Sequence, residues 1–287
     1  MLMDEMVRSL MKDKDIQLPT LPVIASNIMK LANDPDTSAQ DLAAFIEQDP
    51  AITNKLLMLA NSAFYGQAKA VETVQRAVMV IGFNEVTRLA LSVSVMSSFD
   101  LKGVEKILNM RNLWMHSICC ATAAETMARI VGLKESEHIF VIGLLHDMGK
   151  IVLAIAMPEE YATILNSASE RKVPLCLVEA ESMGVNHADL AGHFMKEWNF
   201  PDSLRLPVKF HHAPMKCPGD FQRQAMVVSV ANFFCHKVGM GLSGSPSYDD
   251  VKMVVANLGL KREDLKEVAD VLSANKQKIE EYLSFMG

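Results

Sequence analysis

Asp49-Pro50-Ala51-Ile52-Thr53-Asn54-Lys55-Leu56-Leu57-Met58-Leu59-Ala60-Asn61-Ser62-Ala63 decides what kind of chain this is. The side-chain oxygen of Asp49 can accept from the free N–H groups of a helix start. Pro50 stands at the first helical position, where its fixed φ suits the helix and its missing N–H is not needed. Ile52, Leu56, Leu59 and Ala63 then recur every three or four residues, the period of one helix face and not of a strand. The reading repeats on both sides. Thr20–Leu31, Ser38–Gln48 and Val71–Ile81, the last closed by Gly82, are further helices. Asn84 is placed to cap another, in which Val86, Leu89, Ala90, Val93 and Met96 share a face. Helical patterns continue over Leu113–Ile130, Glu137–Ala156, Glu159–Ser169, His187–Trp198, Leu204–His211, Phe221–Val238, Asp250–Leu258 and Glu263–Leu283. No Asn-Gly or Asp-Gly dipeptide occurs, and no alternating run is long enough to make a strand. The expected fold class is all-α.

Composition sets the bounds. With 287 residues, 50% of them hydrophobic, the chain can bury a core and is not disordered. The apolar stretches Ala77–Phe83, Ile151–Met157 and Ala225–Cys235 fall short of the ~20 residues that cross a bilayer, so no membrane span is expected. No charged start followed by an apolar run marks the chain for secretion. Five cysteines without C-x-x-C spacing suit reduced thiols, hence a cytoplasmic location. A net charge of −6 and the absence of a basic stripe disfavour nucleic acid as a partner. Phe99–Gly103 and the Gly-, Ser- and Pro-rich Gly239–Ser247 interrupt the periodicity. The expected domains are an N-terminal helical lobe over 1–100, a larger helical domain over 101–239, and amphipathic helices over 240–287 packing on the body. In the last helix Leu265, Val268, Leu272, Ile279 and Leu283 form an apolar stripe.

All eight histidines lie between Met115 and Lys237. The strongest context is Gly143-Leu144-Leu145-His146-Asp147-Met148-Gly149-Lys150, which puts two ionisable groups inside an apolar helix. Their burial costs several kcal/mol unless a metal or another partner satisfies them. Helix neighbours diverge by ~100°, so His146 and Asp147 would reach one ion from the side or serve two ions. Lys150, one turn on, would set its ammonium beside a bound phosphate. His211 and His212 precede Pro214; two adjacent rings are expected to point apart, serving two metals or one metal and a substrate. His116, in an apolar helix, and His187, at a helix start, are weaker candidates alone. His138, His193 and His236 read as ordinary, and Cys119 and Cys120 as packing.

The order His116, His146-Asp147, His187, His211-His212 resembles the HD superfamily of metal-dependent phosphohydrolases, whose last aspartate falls at Asn232 here. Leu18-Pro19-Thr20-Leu21-Pro22, Gln48-Asp49-Pro50-Ala51-Ile52-Thr53, Leu59-Ala60-Asn61-Ser62-Ala63-Phe64-Tyr65-Gly66 and Val74-Gln75-Arg76-Ala77-Val78 through Gly82 resemble the HDOD family, from about Ile16 to about Gly239. That family groups bacterial signalling proteins related to the HD-GYP phosphodiesterases. The resemblance implies an HD-like helical bundle with an N-terminal helical lobe. It also implies metal ligands at His116, His146, Asp147, His187, His211, His212 and Asn232, with Asp147 and Lys150 as the catalytic residues of any active enzyme and Lys150 as the substrate contact. Asn112 and Ala213 stand where glutamates occur in some HD-GYP relatives. With Asn232 in place of aspartate, Asp147 is left as the anion of the site, enough for one divalent ion (Fe, Zn, Mn or Ni) and too few for two. Two functions follow: a regulatory signal-transduction protein with a degenerate metal site, or a metal-dependent phosphohydrolase acting on a phosphodiester or nucleotide. No receiver or cyclase domain fits this length. Input is therefore expected from a signalling partner or a small phosphorylated ligand; a homo-oligomer is compatible with either.

Overall fold

The computed structural model describes residues 23–284 apart from 35, 63–64, 67–69, 100–102, 134–135 and 242–249. The Leu18–Pro22 motif, Ala63 and Phe64 of the Asn-Ser-Ala-Phe-Tyr-Gly block, and most of the Gly239–Ser247 seam lie outside the described residues. Helices and short 3-10 turns make up the regular structure, with no strand among the described residues.

One unit holds Pro19–Asp100 together with Ala274–Gly287. Its helices are α1 (Val23–Asn33), α2 (Ala39–Ile46), α3 (Pro50–Ala60), α4 (Val74–Ile81) and α5 (Phe83–Ser97). Asp49 starts α3 as its sequence demands: Oδ1 accepts from the N–H of Ala51 at 2.8 Å and of Ile52 at 3.0 Å. Ser38 and Asp41 form a reciprocal capping box on α2. Gly82, at φ 94°, closes α4 and immediately opens α5, so Asn84 lies inside α5 and does not cap it. The Tyr65 hydroxyl donates to Glu85 at 3.0 Å, and Lys278 pairs with the same carboxylate.

The other unit is built on Leu101–Ser273. It contains α6 (Met110–Ile130), α7 (Ser136–Leu145), α8 (Met148–Ala156), α9 (Pro158–Arg171), α10 (Leu175–Met183), α11 (His187–Glu197), α12 (Asp202–Phe210), α13 (Gln222–Lys237) and α14 (Lys252–Leu258). Helix α15 (Arg262–Ser284) contributes to both units, its residues from Ala274 counting with the first. Four residues of its apolar stripe, Val268, Leu272, Ile279 and Leu283, are buried by the chain itself.

In this unit α6 lies against α7 and α13, α12 against α7, α11 and α13, and α8 against α11. Small side chains allow the central approach: a Cβ on Gly143 of α7 would stand 2.6 Å from the Cα of Ala121 in α6. His138–Ala156 is, by length and composition, apolar enough to cross a bilayer, contrary to the expectation from shorter runs. Its residues are almost all buried in the structure, and it serves as core.

Candidate metal centre

Sequence periodicity runs unbroken from Glu137 to Ala156, but the backbone does not. Helix α7 ends at Leu145, His146 and Asp147 form a turn, and α8 begins at Met148. Asp147 stands at the N-cap of α8 with φ −98° and ψ 3° and makes no capping hydrogen bond. The break removes the ~100° divergence expected within one helix and lets ring and carboxylate turn into the same interior. Gly149 then fixes the distance to α11, since a Cβ there would lie 2.0 Å from the carbonyl oxygen of His187.

Around this turn six histidines meet ring to ring. His116 lies 5.3 Å from His146 and 4.5 Å from His236, His146 lies 5.0 Å from His211, and His187 lies 5.6 Å from His211 and 4.9 Å from His212. His211 and His212, expected to diverge, have ring centroids 4.0 Å apart just past the end of α12 at Phe210. Asp147 sits among them. Its Oδ1 is 3.1 Å from His187 Nε2, and its Oδ2 is 3.4 Å from His146 Nε2, 3.8 Å from His116 Nε2 and 2.7 Å from Lys150 Nζ. Asn232 Oδ1 lies 2.9 Å from His116 Nε2. Every candidate named from sequence except Asn112, which is exposed, reaches this cluster or, like Ala213, flanks it.

Three rings are held in one orientation. Nδ1 of His146 lies 2.7 Å from the Gly143 carbonyl, Nδ1 of His211 lies 2.7 Å from the Val208 carbonyl, and Nδ1 of His187 lies 2.6 Å from Glu179 Oε2. In the neutral ring Nδ1 is then the donor, and the Nε2 lone pair points inward, the arrangement that metal-ligating histidines adopt. Nε2 of His146, Nε2 of His211 and Oδ1 of Asp147 are buried and make no hydrogen bond of ordinary geometry among the described residues. Such atoms are costly to bury unsatisfied. Two groups emerge that could hold an ion, His116–His146–Asp147 and His187–His211–His212, each with ligand atoms within 4.8 Å of one another. Two ligands about 2.1 Å from one ion and at right angles stand ~3 Å apart. The His187 Nε2 to His212 Nε2 separation of 3.0 Å matches that spacing. The residues present therefore fit a divalent ion.

Burial and neighbouring charges sort the rings of the cluster. Burial drives the His116 and His211 rings well below their ordinary pKa, with neighbouring histidines adding to the effect. Burial also opposes charge on His146, but the Asp147 carboxylate and the Cys120 thiol outweigh it and hold that ring up at about 10. Burial alone would raise Asp147, and His146 with Lys150 instead hold it well below the usual carboxylate range. Lys150, expected beside a phosphate, is buried and spends its ammonium on Asp147.

Three residues escaped the sequence reading. Glu179 is fully buried behind His187, on a helix that the periodicity did not reveal. His236 stacks on His116 one helical turn beyond Asn232. Cys120 faces His146. A carboxylate within Leu175-Cys176-Leu177-Val178-Glu179-Ala180, and the i, i+4 spacing of Asn232 and His236, were the available signals.

The HDOD domain family matches residues 18–214. This chain belongs to the HDOD family. An uncharacterized protein of Treponema pallidum (strain Nichols) is 26% identical over 221 residues, 77% of this HDOD chain and 42% of that protein. The chain thus spans about two-fifths of that relative's length. Three solved structures share the fold. An HDOD domain protein of unknown function from Geobacter sulfurreducens gives a TM-score of 0.78 at 23% identity, covering 99% of this chain and 97% of that one. A protein of Marinobacter aquaeolei VT8, provisionally named for signal transduction, gives 0.82 at 22%, covering 99% and 65%. A provisionally named phosphohydrolase of Shewanella amazonensis SB2B gives 0.71 at 21%, covering 97% and 98%.

Proposed function

We propose that this HDOD protein is a cytoplasmic regulatory protein of bacterial signalling. Its histidine cluster holds one divalent ion, and it acts by binding a partner protein or a small phosphorylated ligand, not by efficient turnover. One observation carries the reading: Asp147, the carboxylate placed among the six rings, is already paired at 2.7 Å with the buried Lys150 ammonium. A second divalent ion would find no further carboxylate ligand there, because Asn232 offers a neutral oxygen. His116, His146 and Asp147, or His187, His211 and His212, would hold the ion. Five free thiols and an acidic net charge agree with a reducing compartment and with a partner other than nucleic acid.

Elemental analysis of untagged protein, followed by a panel of phosphodiesters and nucleotides assayed with metal saturating, tests this. At most one ion per chain and no turnover above background are expected, with His146→Ala and Asp147→Ala losing the ion. Two ions per chain together with turnover abolished by those variants would replace the proposal with the second reading, a metal-dependent phosphohydrolase. That reading is favoured by the position of Asp147 between the two ligand groups. A divalent ion there would supply Lewis acidity toward a phosphoryl oxygen.

A further inference from the structure

Glu179 lies outside both ligand groups, yet one of its carboxylate oxygens is spent wholly on His187, a member of the second. It is fully buried on α10, and no residue of the metal-site pattern predicts a carboxylate there. Its Oε2 accepts from the backbone N–H of His187 at 2.9 Å and lies 2.6 Å from that residue's Nδ1, while Oε1 accepts from the Tyr161 hydroxyl at 2.8 Å. Tyr161 is itself fully buried, so the carboxylate is closed off from water on that side. On the far face of the ring, His187 Nε2 stands 3.1 Å from Asp147 Oδ1 and 3.0 Å from His212 Nε2.

We infer that Glu179 is the positioning residue of the second ligand group, fixing the His187 ring with its Nε2 lone pair directed at the metal and lending that group negative charge through the ring. The inference rests on the reading of the cluster as a metal site. The chemistry is that of a carboxylate–histidine–metal chain: a carboxylate behind the ring orients it, fixes its tautomer and makes it a stronger donor. His187, His211 and His212 contain no anion, and a divalent ion bound by three neutral rings alone would be poorly neutralised. Glu179 supplies the missing charge one hydrogen bond away. The same carboxylate holds the backbone of His187 at the start of α11, so ring position and helix start are set by one group. An ordinary structural role explains the bond to Tyr161; it does not require a second oxygen placed on both donors of one histidine.

Glu179→Gln separates charge from shape. The His187 backbone N–H can only donate, so the amide must keep its oxygen toward His187 and turn its NH₂ to the Tyr161 oxygen. Orientation and tautomer survive, and the negative charge is lost. Titration of chelator-stripped protein with Zn²⁺ is expected to show a 10- to 100-fold weaker affinity for Glu179→Gln, the loss common when such partners of metal ligands are removed. Tyr161→Phe, which leaves Glu179 and His187 in contact, is expected to lower the melting temperature and keep the affinity within about threefold. Equal Zn²⁺ affinity for wild type and a folded Glu179→Gln overturns the inference. A second measurement stands apart from metal uptake: ¹⁵N spectra of the stripped protein at alkaline pH are expected to show His187 with its proton on Nδ1, and a mixture of tautomers in Glu179→Leu. A proton on Nε2 in the wild type overturns the positioning role even if zinc binds. Wild-type protein that takes up no Zn²⁺ but shows the Nδ1–H ring would sink the metal reading while leaving Glu179 as the residue that orients His187.

Discussion

Charge at single residues decides what the cluster can hold. Lys150 and Asn232 each leave the centre one unit more positive than a neutral side chain and an aspartate would: the first brings a cation to Asp147, the second offers a neutral oxygen in place of an anion. Removing that handicap at either position has two opposite consequences. Lys150→Met leaves the buried Asp147 carboxylate without its 2.7 Å partner. It is expected to destabilise the metal-free protein by about 3–5 kcal/mol, the usual penalty for breaking one side of a buried pair. Asn232→Asp places a new carboxylate 2.9 Å from His116 Nε2 and also lowers metal-free stability. In both variants Zn²⁺ is expected to bind more tightly than in the wild type and to restore the loss, since ligand bound to the native state stabilises it by mass action. Denaturant titrations with and without Zn²⁺ check this; a wild-type-like response in both would show that the ion does not sense these charges. Sequence reached Lys150 through its place one turn after the His146-Asp147 dipeptide, and Asn232 only through the resemblance to the HD superfamily. It could not show that Lys150 faces Asp147, since a side chain one turn away can equally point outward.

At the scale of elements, the site exists because two helices come too close for any side chain larger than hydrogen. Gly149 meets the carbonyl of His187 in a space where a Cβ would stand 2.0 Å from oxygen. Gly149→Ala must push α8 from α11 and carry His187 away from Asp147. Overpacking of this kind costs about 1–3 kcal/mol, and because the obstruction is backbone, the upper end is expected in urea denaturation. Zn²⁺ affinity should fall in step, whereas a substitution felt only by stability would point to relaxation elsewhere. The helices themselves were legible where local chemistry marks them: Asp49-Pro50 for α3 and Gly82 for the end of α4. The turn at His146-Asp147 was not, because apolar residues continue at helical spacing across it and no proline interrupts them. Nor was α10, whose Leu175, Cys176 and Val178 are followed by three polar residues in five, too short a stripe to define a face. Glu179 was missed with the helix that carries it. His236 was passed over because its burial comes from α6 packing against α13, a contact between residues more than a hundred positions apart.

For the molecule as a whole, stability against pH reports how these buried rings are charged. The His236 ring is held down at about 4, first by burial and then by Lys150, against an ordinary 6.5. Between those values the unfolded chain takes up a proton that the folded protein refuses, so stability falls as pH drops, by ~1.4 kcal/mol per pH unit and about 3 kcal/mol in all for this ring. His116 and His211, also depressed by burial, steepen the same limb. His146 acts in reverse. Held up at about 10, it contributes stability that is complete below pH 6.5 and lost as pH rises through about 10. The metal-free protein is therefore expected to be most stable near pH 6.5 and to weaken on both sides. Urea midpoints measured from pH 4 to pH 10 in the presence of a chelator should trace that shape. His236→Phe should flatten the acid limb and leave the alkaline one, and His146→Gln should do the opposite. An acid limb unchanged in His236→Phe would mean that this ring is protonated in the folded protein, and that the cluster tolerates a further positive charge beside Lys150 and His146.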